Sequence, residues 1–167
     1  LDGIVFSGGE PTVHERLPEW MREVKGMGFQ IGLHTGGMYP ERLAEVLPLC
    51  DWVGMDIKGP FNAYEKVTGV PQSGETARAG ALRVLASGVP YEFRTTFHPG
   101  LLSEADLQNL AGELVSMGCR HYTLQMFRAD HCSDKELREG HFVGAGISAG
   151  LRQRLKVLFE DFKVRES

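Results

Sequence analysis

The chain has 167 residues, 42% of them hydrophobic and 24% charged, with a formal net charge of -4. That is enough for one domain with a real core, and it excludes a disordered chain. No basic patch stands out and no apolar run is long enough to span a bilayer, so neither nucleic acid nor a membrane is an expected partner.

The first element is a strand-like run at residues 3–7, which enters Gly8-Gly9-Glu10-Pro11-Thr12. The glycines let a ligand approach bare main chain, Glu10 can pair with an ammonium group, and Pro11 fixes the exit of the turn. A tight turn with a solvated glutamate is the alternative. Leu17, Trp20, Met21, Val24 and Met27 then share one face at helical spacing. Thr12 with Glu15 reads as the capping box of that helix, and Gly28 as its stop.

The second strand, residues 30–35, ends in His34-Thr35-Gly36-Gly37, and a short helix follows at about residues 40–47. His34 suits a ribose or a carboxylate, or is a satisfied histidine in a turn. The third strand, residues 52–57, leads to Asp56 and Lys58, two apart and therefore on one side. Such a pair holds a zwitterion, offers Lys58 for a Schiff base, or is an exposed ion pair worth little. A helix at about residues 75–86 has Ser73 as a plausible cap and Gly88 as a stop.

The fourth strand, residues 91–97, puts Arg94, Thr96 and His98 on one face. A guanidinium there needs an anion, either a ligand carboxylate or a glutamate such as Glu92 or Glu10. A helix over residues 103–117 carries Leu107, Leu110, Ala111, Leu114 and Val115. The fifth strand, residues 120–126, ends near Gln125, an amide that donates and accepts, or simply an outward-facing polar residue. An irregular stretch, residues 128–147, is a candidate lid with Asp130, His131, Cys132, Asp134 and His141, whose spacing matches no standard metal pattern. The last helix is read over residues 149–162.

The order βαβαβαβαβα implies a parallel sheet with right-handed crossovers, either open and doubly wound or part of a barrel. Polar clusters at nearly every strand end favour the barrel. No repeat divides the chain, so residues 1–167 read as one domain. Cys50, Cys119 and Cys132 are odd in number and widely spaced, which suits a reducing cytoplasm rather than a disulfide framework. Cys50 and Cys119 read as core residues.

In combination these motifs resemble a known family. Ser7-Gly8-Gly9-Glu10-Pro11-Thr12 resembles the Gly-Gly-Glu-Pro motif of radical S-adenosylmethionine enzymes. His34-Thr35-Gly36-Gly37 resembles the Thr-Asn-Gly signature of their activase branch, with Gly36 in place of the asparagine. Met55-Asp56-Ile57-Lys58 resembles that branch's Asp-Leu-Lys strand end. The run 94–100 resembles its strand ending in Pro-Gly, with His98 in place of an apolar residue. Leu124-Gln125 resembles the Leu-Gln pair of the anaerobic ribonucleotide reductase activating proteins.

The resemblance implies an α/β partial TIM-like (β/α)₆ barrel, present here as about five βα units with the first missing. Leu1 opens on a strand, so the chain reads as the C-terminal portion of a longer domain. The resemblance further implies S-adenosylmethionine across the strand ends. Gly8, Gly9 and Glu10 would bind its amino group, Asp56, Lys58 and Arg94 its carboxylate and sulfonium region, and His34 and Thr35 would lie near its ribose, with Gln125 at the last strand. The family cleaves S-adenosylmethionine reductively to a 5′-deoxyadenosyl radical, and activases use it to form a glycyl radical on a partner enzyme, here anaerobic ribonucleotide reductase or pyruvate formate-lyase. A flavodoxin or ferredoxin would supply the electron.

The family's [4Fe-4S] cluster motif, Cys-x-x-x-Cys-x-x-Cys, does not occur in the sequence, so its ligands are expected upstream, no residue here is assigned a catalytic role, and this part alone is expected to be inactive. Self-association through the exposed edge of the first strand is also expected. Three other readings are a family member acting on a small molecule or RNA, a cluster-free aldolase-like lyase using Lys58, and a non-catalytic protein-binding module.

Overall fold

The computed structural model describes residues 2–127 and 146–166. Six strands form one sheet in the order β1-β2-β3-β4-β5-β6, with every neighbouring pair parallel. They are β1 (Gly3–Phe6), β2 (Gln30–Thr35), β3 (Trp52–Asp56), β4 (Tyr91–Phe97), β5 (His121–Met126) and β6 (Asp161–Arg165). The helices are α1 (Leu17–Gly26), α2 (Pro40–Val46), α3 (Tyr64–Thr68), α4 (Ser73–Ser87), α5 (Glu104–Ser116) and α6 (Ala149–Leu158). The sheet curls part of the way round and β1 does not pair with β6, which is the expected partial barrel.

Side-chain alternation divides the sheet. One set (Ile31, Leu33, Val53, Met55, Phe93, Tyr122 and Leu124) is fully buried against helix residues such as Met21, Leu43, Ala81, Val84, Leu110 and Leu155. The alternate set is polar: His34, Asp56, Glu92, Arg94, Gln125, Lys163 and Arg165. Parallel strands are usually apolar on both faces, so a polar inner face marks the side that receives something other than helices.

Local signals explain the boundaries. Ser103 accepts from the Asp106 N–H, and the Asp106 carboxylate accepts from the Ser103 N–H at 2.8 Å, a reciprocal capping box that starts α5. Gly88, with φ +71, stops α4 in the left-handed conformation.

Three expectations are corrected. Thr12 and Glu15 do not cap α1, which starts later at Leu17 behind Arg16 with no side-chain cap. Thr12 instead lies in a 3-10 turn, Pro11–Val13, capped by Glu10. Ser73 is inside α4 rather than before it; Gln72 is the cap, and the Ser73 hydroxyl donates to the Val70 carbonyl at 2.7 Å.

The last helix stops at Leu158, and five residues of its expected span and beyond form β6 instead. Phe159 and Phe162 leave the helix to pack on Tyr122, at ring distances of 5.0 and 6.0 Å. Five βα units are therefore present, followed by a sixth strand.

Candidate ligand site at the strand ends

Gly8 and Gly9 have φ of +91 and +59, and no atom crowds the position of a Cβ at either. The glycines are required by backbone conformation, not by lack of room. The turn delivers Glu10 to the end of β2. Glu10 Oε1 accepts from the Thr12 N–H (3.2 Å), the Thr12 hydroxyl (2.5 Å) and the Thr35 hydroxyl (2.7 Å). Oε2 accepts from the Gly36 N–H at 2.7 Å. Gly37 N–H donates to the Thr35 hydroxyl at 2.9 Å and completes the loop.

Glu10 thus ties the ends of β1 and β2 together. A carboxylate has about four acceptor positions. Oε1 is filled, while Oε2 keeps one acceptor position beyond the Gly36 amide. Gly36 has no side chain and contributes its main-chain N–H. Thr35 is buried and spent within this tie.

A second cluster joins β2, β3 and β4. Asp56 and Arg94 are register partners; Asp56 Oδ1 accepts from Arg94 Nε at 3.0 Å and forms an ion pair with Nη2 at 2.9 Å. Arg94 Nη1 lies 3.4 Å from His34 Nε2. Arg94 is 8% exposed, so its charge is held in the protein by Asp56. Glu92 and Glu10, the glutamates considered from sequence, are not its partners; Glu92 accepts from Arg165 of β6 at 2.8 Å.

Lys58 Nζ stands 3.7 Å from Asp56 Oδ2, with its side chain half-exposed. The Lys58 N–H donates to the Tyr64 hydroxyl at 2.9 Å, which fixes the chain beyond β3. Burial, and next the charge of Arg94, push the His34 imidazole below its ordinary range, so it is neutral at pH 7. Two cations and one carboxylate leave the cluster with one net positive charge. Gln125 lies in register with Thr96 and Arg165 on the same inner face.

The structure adds residues that sequence reading did not single out. Trp52 lies edge-on to His34 at a ring distance of 5.5 Å. A Cβ at Gly54 would stand 2.6 Å from the Trp52 ring and 3.1 Å from the His34 ring. The alternation Trp52, Gly54, Asp56 was the available signal. A pocket of about 230 Å³ borders Trp52, Glu92, His121, Asp161 and Lys163 at the starts of β3 to β6, the opposite end of the sheet from Glu10 and Lys58. His98 is buried, accepts from the Gly100 N–H at 3.0 Å and meets Phe127 edge-on at 4.6 Å, so it serves as an aromatic wall.

A sequence model described as the radical SAM superfamily matches residues 1–114. The chain belongs to the radical SAM superfamily. A protein of Methanocaldococcus jannaschii whose name assigns it to the glycyl-radical enzyme activating enzymes is 31% identical over 145 residues, covering 83% of this chain and 60% of that protein. The chain therefore spans about 60% of that relative's length, less than two thirds of it.

Among solved structures, a domain of a pyruvate-formate lyase-activating enzyme from Bacteroides vulgatus superposes with TM-score 0.70 at 20% identity, covering 99% of each chain. Streptococcus suis SuiB bound to S-adenosylmethionine superposes with TM-score 0.65 at 10% identity, over 99% of this chain and 38% of SuiB. These two likenesses establish the partial-barrel fold.

The superfamily implies an iron–sulfur cluster, and the described residues do not fit one. Cys50 and Cys119 are both buried, and burial pushes their thiols up to about 12 and about 11, the reverse of what a thiolate ligand needs. Cys50 donates to the Val46 carbonyl. Among the described residues, no group of three or more His, Cys, Asp or Glu is placed to hold a metal. The cluster Asp130, His131, Cys132, Asp134 and His141, with the expected lid at 128–147, falls at 128–145 outside the described residues. No described helix is long and apolar enough to cross a membrane.

Proposed function

We propose that this chain supplies the S-adenosylmethionine-binding strand ends of an enzyme that generates a glycyl radical on a partner protein. One observation carries the reading: two clusters of opposite capacity stand on adjacent strand ends. The Glu10 side presents a spare carboxylate acceptor, and the Asp56–Arg94–Lys58 side presents a net positive charge. Together they complement a zwitterion, the form of the amino-acid end of S-adenosylmethionine.

In this reading Glu10 Oε2 and the Gly8–Gly9 main chain receive the ammonium. Lys58 takes the carboxylate, with Arg94 behind it. Arg94 is a positioning charge rather than a direct clamp, because its Nε and Nη2 are committed to Asp56. Neutral His34 accepts from Arg94 and holds the guanidinium in plane. Thr35 acts through Glu10, and Gln125 reads a polar group of the bound molecule from β5. Lys58 lies half-exposed rather than in the desolvated pocket a Schiff-base lysine uses, which speaks against the lyase reading.

The likeness to the M. jannaschii protein supports a glycyl radical enzyme as partner. Anaerobic ribonucleotide reductase or pyruvate formate-lyase as that partner, a flavodoxin- or ferredoxin-type electron donor and a cytoplasmic setting are parts of the same proposal. The cluster that supplies the electron in this superfamily would be held by residues beyond those described.

The test is anaerobic incubation of the whole reconstituted protein with S-adenosylmethionine, reductant and each candidate partner. The expected result is a glycyl radical signal by electron paramagnetic resonance on one partner, together with 5′-deoxyadenosine. Production of 5′-deoxyadenosine without a protein radical on either partner would move the substrate to a small molecule.

A further inference from the structure

Both halves of the ligand site are loops that follow strands, and one helix touches both. Gly80 of α4 lies against the loop after β2: a Cβ there would overlap the Gly37 carbonyl oxygen and stand 2.9 Å from Gly37 Cα. Gly74 of the same helix lies against the segment after β3: a Cβ there would overlap the Phe61 carbonyl oxygen and stand 2.9 Å from Tyr64 Cβ. In each case the obstacle includes main chain, which cannot swing aside as a side chain end does.

The first loop carries the Gly36 amide that holds Glu10 Oε2, at 2.7 Å. The second segment carries Tyr64, whose hydroxyl holds the Lys58 amide at 2.9 Å. The two contacts are about 9 Å apart along the helix axis. Neither glycine needs a left-handed conformation, since both lie inside a regular helix. Glycine is the poorest helix former after proline, so two at contact positions mark close approach rather than helix preference.

We infer that Gly74 and Gly80 are positioning residues: α4 sets the spacing between the ammonium-binding and carboxylate-binding loops through two bare main-chain contacts. The inference rests on the zwitterion reading above. An alanine at position 80 pushes the Gly36–Gly37 loop outward, lengthens the Gly36-to-Glu10 hydrogen bond and turns the spare acceptor of Oε2 away from the ligand. An alanine at position 74 displaces the Lys58 side instead.

The test compares two ligands on the whole protein by calorimetry: S-adenosylmethionine, which carries the amino-acid end, and 5′-methylthioadenosine, which lacks it. Gly80→Ala is made alone and together with Gly112→Ala. The second substitution fills open space on α5 and adds helix preference, so it supports folding and also serves as a control. The expected result is at least a tenfold fall in the preference for S-adenosylmethionine over 5′-methylthioadenosine in Gly80→Ala, with Gly112→Ala alone unchanged. A purely structural role would weaken both ligands together, and an unchanged ratio overturns the inference.

If Gly80→Ala does not fold in either background, the unsubstituted protein decides. S-adenosylmethionine should shift the Gly37 and Gly80 amide signals in nuclear magnetic resonance where 5′-methylthioadenosine does not, and equal responses overturn the inference. Failure of the zwitterion reading itself looks different, because the unsubstituted protein would then show no preference between the two ligands.

Discussion

The two faces of one sheet have opposite chemistry. On the helix side, Leu33, Val53, Met55, Phe93 and Leu124 are fully buried and contribute packing alone. On the inner side, the alternate residues of the same strands are His34, Asp56, Glu92, Arg94 and Gln125; Asp56 pairs with Arg94 from β3 to β4, and Glu92 with Arg165 from β4 to β6. Stability and recognition are therefore carried by residues one position apart in the chain. A substitution on one face should be read in denaturation, and one on the other in ligand affinity.

The largest expected effect would break the helix side. Phe93→Ala removes a fully buried ring and should cost about 3–5 kcal/mol, read as a lowered urea midpoint at unchanged slope. A smaller loss is expected at Asp51, whose Oδ2 accepts the Ile31 N–H at 2.8 Å and ties the start of β3 to β2. Asp51→Ala should cost about 1–2 kcal/mol, seen by thermal unfolding.

The inner face should answer differently. Lys58→Met should leave stability within about 0.5 kcal/mol, since its ion pair is half-exposed, yet weaken S-adenosylmethionine about tenfold by calorimetry. Equal affinity in that variant would remove Lys58 from the site.

The smallest effect sharpens the boundary between the faces. The His34 imidazole titrates below its ordinary range, so between that folded value and about 6.5 the unfolded chain binds the extra proton. Stability contributed by neutral His34 is fully present above about pH 6.5 and is lost as pH falls through the folded value. His34→Gln should flatten this part of a stability–pH profile. Asp51, Glu104 and Asp106 are held below the usual carboxylate range, chiefly by backbone hydrogen bonds, and act only in more acidic solution.

The helix side was legible because period-two apolar residues leave one arrangement for each strand. Asp56 and Lys58 were legible as a pair for the same reason. β6 was not, because Leu151, Leu155, Leu158, Phe159 and Phe162 continue a helical spacing past the true end of α6. Only the charges at Asp161, Lys163 and Arg165 alternate as a strand does. The partner of Arg94 could not be chosen from sequence, since Asp56, Glu92 and Glu10 are all acids near strand ends and only register brings Asp56 opposite it. Thr12 misled for a local reason: a threonine three residues before a glutamate matches a capping box, but the chain bends at Pro11 and Thr12 turns back to Glu10.

Strand order has a kinetic meaning as well. Among the described residues, every pairing joins consecutive strands, and none reaches further along the chain than from His121 to Asp161. The entropy of loop closure is met one βα unit at a time, and no step has to bring the two chain ends together. Such a sheet can grow as the polypeptide leaves the ribosome, with each new strand templated on the one before it.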